Sequence, residues 1–430
     1  MKYILILILL TGSIGAVNAR MSPVETTLQK RADNSWLLSY SLDIPVFRLG
    51  FARNPDDSRM TRWKPVDEQF EIVVNNNKEY LQKKNGRSFS NASVHLTPTY
   101  KHLVNDYAPF SPYSDGGTLV YTGRLFACDS ECGEDVDLWK ITVEVPPEDL
   151  IIVNGDILSS SATWLDGNSG QNIYIGLQEP IETSNVVTVI DRKLPDVIQD
   201  LLRTEIPRLM NFFENKLGKI SGTKPMLFAS YANVKGSSSQ GGTLPNQIFI
   251  HWNLNNFQER INDPNFVYDI IWFFAHEVAH LYQESDGTSL FGTSSALWIH
   301  EGNAEWLALK ALTAIYPEIE KYSSQKVNRY INECSKGLES TTLFNAVSVG
   351  RSDLHYKCGL AIHKAIDETL GNDRERDIFT FWIEYRNRIR NGKEKGMNTF
   401  LDVVENWASL SLRQEIDQVI HAHTERSVIL

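Results

Sequence analysis

At 430 residues the chain is long enough for two domains, each burying a core of its own. An apolar fraction of 42% and a charged fraction of 22% exclude a disordered or fibrous chain. A formal net charge of -11, with no Lys/Arg cluster to outweigh it, excludes a nucleic-acid partner, because phosphate backbones need a basic face.

The chain opens with Lys2, an apolar run from Tyr3 to Leu10, and the small-residue stretch Ala16-Val17-Asn18-Ala19. This order predicts a signal peptide over residues 1–19 and an exported protein, periplasmic or extracellular. The apolar run is too short to cross a bilayer comfortably. No later segment reaches about 18 uninterrupted apolar residues, so no transmembrane segment is expected after signal cleavage. Export makes the four cysteines legible. Cys128, Cys132, Cys334 and Cys358 allow three pairings in an oxidising compartment, and Cys128–Cys132 with Cys334–Cys358 is the favoured one.

Between about residues 35 and 190 the pattern is strand-like. Ser35 to Ile44, Gln69 to Val74, Thr118 to Tyr121, Leu138 to Val145 and Ile173 to Gly176 are apolar or alternating runs punctuated by Gly, Pro, Asn and Asp. After Val189 the period changes to that of a helix. Leu194, Ile198, Leu201, Leu202, Leu209 and Phe213 recur on one face up to Gly218, with Pro207 placed to kink or divide the helix. Two further strands are expected, Pro225 to Tyr231 and Gln247 to Trp252, separated by a Gly/Ser-rich loop. From Phe266 onward nearly everything reads as helix. The expected organisation is a β-rich, sandwich-like domain over 20–190 and a mixed, mostly helical domain over 191–430 that carries the chemistry.

Within Phe266 to Glu284 stands His276-Glu277-Val278-Ala279-His280. Residues four apart share a helix face, so both imidazoles can reach one ion, while Glu277 is rotated to address a water. Ile270 to Ala275 marks this helix as buried, where two histidines and a glutamate are costly unless paired or coordinated. Downstream comes Trp298-Ile299-His300-Glu301-Gly302-Asn303-Ala304-Glu305-Trp306, with Thr293, Ser294 and Ser295 as candidate caps. A catalytic zinc needs three protein ligands, and His276, His280 and Glu301 meet that need. Glu305 lies one turn beyond Glu301, placed to accept a hydrogen bond from a ligand imidazole.

The pair H-E-x-x-H and W-x-x-E-G-x-A-E resembles the gluzincin metallopeptidases, in particular the membrane alanyl aminopeptidase family and its glycyl aminopeptidase relatives. The resemblance implies a thermolysin-like α+β, mostly helical catalytic domain behind the β-rich one, a Zn2+ cofactor and a peptide or protein substrate. It also implies Glu301 as third ligand and Glu305 as the acid that orients a ligand histidine. Tyr356-Lys357-Cys358-Gly359 is similar to the family's Y-x-K-G segment, although Lys and Gly are not both in register, and implies a catalytic Tyr356. Phe110 to Gly117 and Val143 to Pro146 resemble the family's β-domain.

Two departures stand out. The family's G-x-M-E-N strand, whose Glu binds the substrate's amino group, is nearest to Gly242-Thr243-Leu244-Pro245-Asn246. Gly242 and Asn246 are thus candidate substrate contacts, but Pro245 stands where the Glu is expected. His300 replaces the usual Asn before the ligand Glu, where it would alter the ligands' surroundings or compete for the metal.

A metzincin would require Gly and His where Gln283 and Asp286 stand, and Gly236 to Gln240 lacks the second Gly of a serine-hydrolase elbow. The expected chemistry is metal-assisted peptide hydrolysis with Glu277 as general base, Tyr356 as oxyanion donor, and the Gln247 to Trp252 strand aligning an extended peptide. The alternative is an inactive, peptidase-like peptide-binding protein that retains the metal.

Overall fold

The computed structural model describes residues 20–421, apart from 55–57, 104–105, 134–135, 168–169, 232–236, 291 and 372–374. The expected signal peptide over 1–19 lies outside the described residues. The fold is a β-rich N-terminal part followed by a mostly helical C-terminal part. Each expected strand is present, as Trp36–Val46, Phe70–Asn75, Thr118–Tyr121, Val136–Glu144 and Asn172–Gly176.

By contact the chain forms two compact units: Met1–Thr97, Thr122–Pro146 and Ser161–Gly170 in one, and Pro98–Tyr121, Pro147–Ser160 and Gln171–Leu430 in the other. The first unit is mostly β, with a short helix at Arg59–Arg62 and a 3-10 turn at Thr122–Arg124. Its larger sheet runs Arg20–Met21, Val136–Glu144, Glu25–Lys30, Trp36–Val46, Phe89–Leu96 and Trp63–Pro65, with Ser161–Gly167 also pairing to Val136–Glu144. Alternation is clean where one face is covered: along Trp36–Leu42 the even positions are buried and the odd ones partly exposed. The Cys128–Cys132 disulfide closes within this unit.

The second unit differs from a single break at residue 190, because three strand-bearing segments before that point belong to it. They build a five-stranded antiparallel sheet ordered Asp156–Ser159, Leu150–Val153, Asn172–Gly176, Thr118–Tyr121 and Phe110–Pro112. A mixed sheet lies beside it, ordered Ile181–Glu182, Val187–Ile190, Met226–Tyr231, Gln247–Leu254 and Ser237–Leu244. The period of two divides the mixed sheet's side chains between two cores. Val187, Val189, Met226, Phe228 and Phe249 join Leu119, Tyr121, Ile152 and Tyr174 of the antiparallel sheet. Ile190, Leu227, Ala229, Ile248, Ile250 and Trp252 face the helices. Covered on both faces, Gln247–Leu254 is buried along its whole length, including its polar residues Gln247, His251 and Asn253.

The helical layer begins with Asp196–Leu217, which runs unbroken through Pro207. Proline removes one interior hydrogen bond, but the buried face from Ile198 to Leu217 holds the helix together, so the expected division does not occur. Behind it pack Pro264–Gln283, Leu297–Ile315, Glu320–Leu338 and Asp353–Leu370. Among the described residues, no helix is long and apolar enough to cross a membrane.

Candidate metal centre

Pro264–Gln283 starts where Pro264 supplies a preset φ and the Asp263 side chain accepts from Asn265 N at 2.9 Å. It is buried on several sides through Ile270, Ile271, Phe274, Ala275 and Val278. The next helix is preceded by a 3-10 turn, Ser294–Ala296, and begins at Leu297 without a side-chain cap bond. The expected caps are therefore part of the turn; Thr293 Oγ1 bonds Ser295 Oγ at 2.9 Å.

The two helices bring His276, His280 and Glu301 together. Their nearest donor atoms form a triangle: His276 Nε2 to His280 Nε2 2.9 Å, His280 Nε2 to Glu301 Oε2 3.2 Å, and His276 Nε2 to Glu301 Oε2 3.3 Å. Ligands about 2.0–2.1 Å from a tetrahedral zinc lie roughly 3.3 Å from each other, so the donor set fits such an ion. The three side chains form a group that could hold a metal.

Electrostatics point the same way. Burial opposes ionisation of Glu301, yet His280 and His276 hold its carboxyl well below the usual range. Burial likewise opposes protonation of His276, but hydrogen bonding to Glu301 and the charges of Glu305 and Glu277 prevail and raise it to about 9. The acidic side chains around His276 thus favour positive charge on its ring.

Gln283 fixes the tautomer of His280. Gln283 Nε2 donates to His300 O at 2.9 Å and to Asn303 Oδ1 at 2.8 Å, so its amide oxygen must face the other way. That oxygen lies 2.8 Å from His280 Nδ1, which therefore carries the proton and leaves the Nε2 lone pair for the ion. Glu305 Oε1 lies 3.5 Å from His276 Nδ1, and its Oε2 accepts from Trp272 Nε1 at 2.5 Å. Gln283 and Trp272 escape the sequence reading although each had a signal. Gln283 is one turn beyond His280, and Trp272 one turn before His276, on the ligand-bearing face.

His300 is not one of the converging ligands. Its ring stacks on His280, centroids 4.4 Å apart and planes 12° apart, and burial keeps its pKa well below the ordinary value. The Tyr356 ring stacks on His276 at 5.7 Å and is about a third exposed. Burial, then the charges of Glu301, Glu277 and Glu305, push its phenol pKa far up, so it remains a donor at neutral pH. Tyr356 reaches this position because its helix, Asp353–Leu370, crosses Leu297–Ile315 backbone to backbone. A Cβ on Gly302 would sit 2.2 Å from Gly359 Cα, and one on Gly359 would sit 2.6 Å from Gly302 Cα. The Cys334–Cys358 disulfide ties the same helix to Glu320–Leu338, with Cα atoms 5.0 Å apart.

Three expectations for the substrate strand change. Gln247–Leu254 is an interior strand, paired on one side with Met226–Tyr231 and on the other with Ser237–Leu244. It has no edge to offer a peptide; the Gly/Ser-rich stretch expected as a loop supplies the terminal strand instead. Asn246 sits in the turn between these strands with φ 58°, and its amide donates to Thr223 O at 2.9 Å, Thr223 Oγ1 at 2.7 Å and Lys224 O at 3.2 Å. Its amide nitrogen holds the turn. Gly242 lies on the terminal strand, where an added Cβ would be 3.1 Å from the Tyr107 hydroxyl.

The fold is that of the M1 zinc metallopeptidases. The chain resembles an aminopeptidase N family protein from Idiomarina loihiensis at 9% identity and a TM-score of 0.64, over 94% of this chain and 77% of that one. An M1 zinc metallopeptidase mutant from Deinococcus radiodurans, bound to a Tyr-Ser-Ala substrate, matches at 11% identity and a TM-score of 0.56, over 96% of each chain. Leukotriene A4 hydrolase from Saccharomyces cerevisiae matches at 12% identity and a TM-score of 0.53, over 95% of this chain and 69% of that one. No family model and no curated protein sequence matches the chain.

Proposed function

We propose that this chain is an exported zinc metallopeptidase of the gluzincin type. The observation that carries the reading is the convergence of His276, His280 and Glu301 donors within about 3 Å of one another, beside a buried Glu277. When bound there, zinc would polarise the scissile carbonyl and lower the pKa of water toward about 7. Glu277 takes the proton of the attacking water and returns it to the leaving amine. Tyr356, kept protonated by its surroundings, donates its O–H to the carbonyl oxygen as charge develops. Gln283 holds His280 in the ligand tautomer, and the Glu305 carboxylate lies 3.5 Å from His276 Nδ1. An extended peptide would be aligned along the terminal strand Ser237–Leu244 by main-chain hydrogen bonds. Export is supported by the N-terminal sequence and by the two disulfides, which persist in oxidising compartments.

The test is incubation of the purified protein with a mixed peptide library, with and without chelator, alongside Glu277→Gln. The reading requires cleavage that chelator removes and zinc restores, and a variant that binds zinc without turnover. Zinc binding with no cleavage by the wild type would favour a peptide-binding protein that keeps its metal.

A further inference from the structure

The terminal strand reaches the proposed base directly. Thr243 Oγ1 donates to Glu277 Oε2 at 2.6 Å and lies 3.1 Å from the Glu277 backbone oxygen. The contact follows from a match of periods. Gly241 and Thr243 are two apart on a strand and share a face, about 6.8 Å from each other; Phe273 and Glu277 are four apart on a helix, about 6 Å along its axis. Gly241 meets Phe273 and Thr243 meets Glu277. A Cβ on Gly241 would lie 2.8 Å from Phe273 Cζ and 2.7 Å from Phe249 O of the paired strand, so glycine leaves room for the Phe273 ring against the strand. Gly242, on the opposite face, meets Tyr107 instead.

We infer that Thr243 is a positioning residue for Glu277, seated by Gly241, which fixes the carboxylate before substrate arrives. A glutamate side chain has several rotamers, and each one that points away from the reacting water lowers the fraction of productive encounters. The Thr243 hydroxyl holds Oε2 and leaves Oε1 to meet the water. Because Thr243 belongs to the strand proposed to align the peptide, the same segment sets substrate and base in mutual register. This inference rests on Glu277 acting as the base.

The experiment pairs Thr243→Val, which keeps shape and removes the hydroxyl, with Thr243→Ser, which keeps the hydroxyl. In zinc-loaded protein the valine variant should retain wild-type zinc content and KM within about twofold, while kcat falls about tenfold or more, the loss of one hydrogen bond to a charged group. The serine variant should remain within about threefold of wild type. Unchanged kcat in Thr243→Val, or equal losses in both variants, would overturn the inference. A thermal-unfolding cycle with Glu277→Ala decides the contact without using activity. The Tm decrease caused by Thr243→Val should be present with Glu277 and absent without it; additive decreases would also overturn the inference. A wild type that cleaves nothing would overturn the peptidase reading, and the unfolding cycle would still decide the Thr243–Glu277 contact.

Discussion

His280 Nδ1 faces the amide oxygen of Gln283 rather than a carboxylate, an arrangement with a measurable consequence. Gln283→Leu removes the group that specifies the His280 tautomer and strands His300 O and Asn303 without their shared donor. Zinc affinity, read by competition with a chromophoric chelator, should fall about 10- to 100-fold, the usual effect of losing an outer hydrogen-bond partner. An unchanged affinity would assign Gln283 to packing alone. Tyr356→Phe should lower kcat by on the order of a hundredfold with zinc content unchanged, in line with loss of an oxyanion donor. At this scale the candidate ligands could be proposed from the sequence because helical spacing is local: His276 and His280 are four apart, as are Glu301 and Glu305. Thr243 was not legible, since its contact with Glu277 joins residues 34 apart through tertiary register. Asn246, expected as a substrate contact, has its amide nitrogen engaged in the turn, and turn and ligand-binding asparagines look alike in one dimension.

The crossing of Leu297–Ile315 with Asp353–Leu370 depends on the Gly302/Gly359 pair. Two opposed effects bear on Gly302→Ala. Helix propensity would favour alanine by about 1 kcal/mol. The added Cβ would overlap backbone at 2.2 Å, which cannot move as a side-chain tip can, and overpacking costs about 1–3 kcal/mol. The clash should win. Denaturant titration should show a less stable protein, and kcat should fall as Tyr356 moves off His276; a stability gain would contradict the crossing. The glycines of E-G-x-A and Y-K-C-G thus act through helix spacing. Strands and helices were legible as elements because their apolar periods are strong. The order of strands was not: the strand expected to align a peptide, Gln247 to Trp252, lies inside the sheet. Pro207 similarly shows a buried helical face outweighing a local breaker.

Across the whole molecule, the division into units escaped a reading along the chain because the antiparallel sheet is assembled from segments the sequence places among the first unit's strands. Composition has no marker for which core a strand joins. The buried histidines away from the metal centre give the molecule a pH dependence. Burial lowers the pKa of His363 to about 4 and that of His251 to about 3. Both are neutral when folded, whereas the unfolded chain protonates them near pH 6.5. The unfolded state therefore binds more protons below that value. Their contribution is full above about pH 6.5 and is lost as pH falls toward 4 and then 3, at up to about 1.4 kcal/mol per pH unit for each residue. Urea unfolding at pH 7 and pH 5 should show the decline, and His363→Leu should lessen it; equal slopes in both proteins would contradict the assignment. The account as a whole is tested most directly by zinc K-edge absorption spectroscopy of the purified, zinc-loaded chain. It predicts one zinc per chain with two imidazoles, a carboxylate and a further light-atom ligand, and loss of the carboxylate contribution in Glu301→Ala. A sulfur ligand, or a spectrum unchanged by Glu301→Ala, would contradict it.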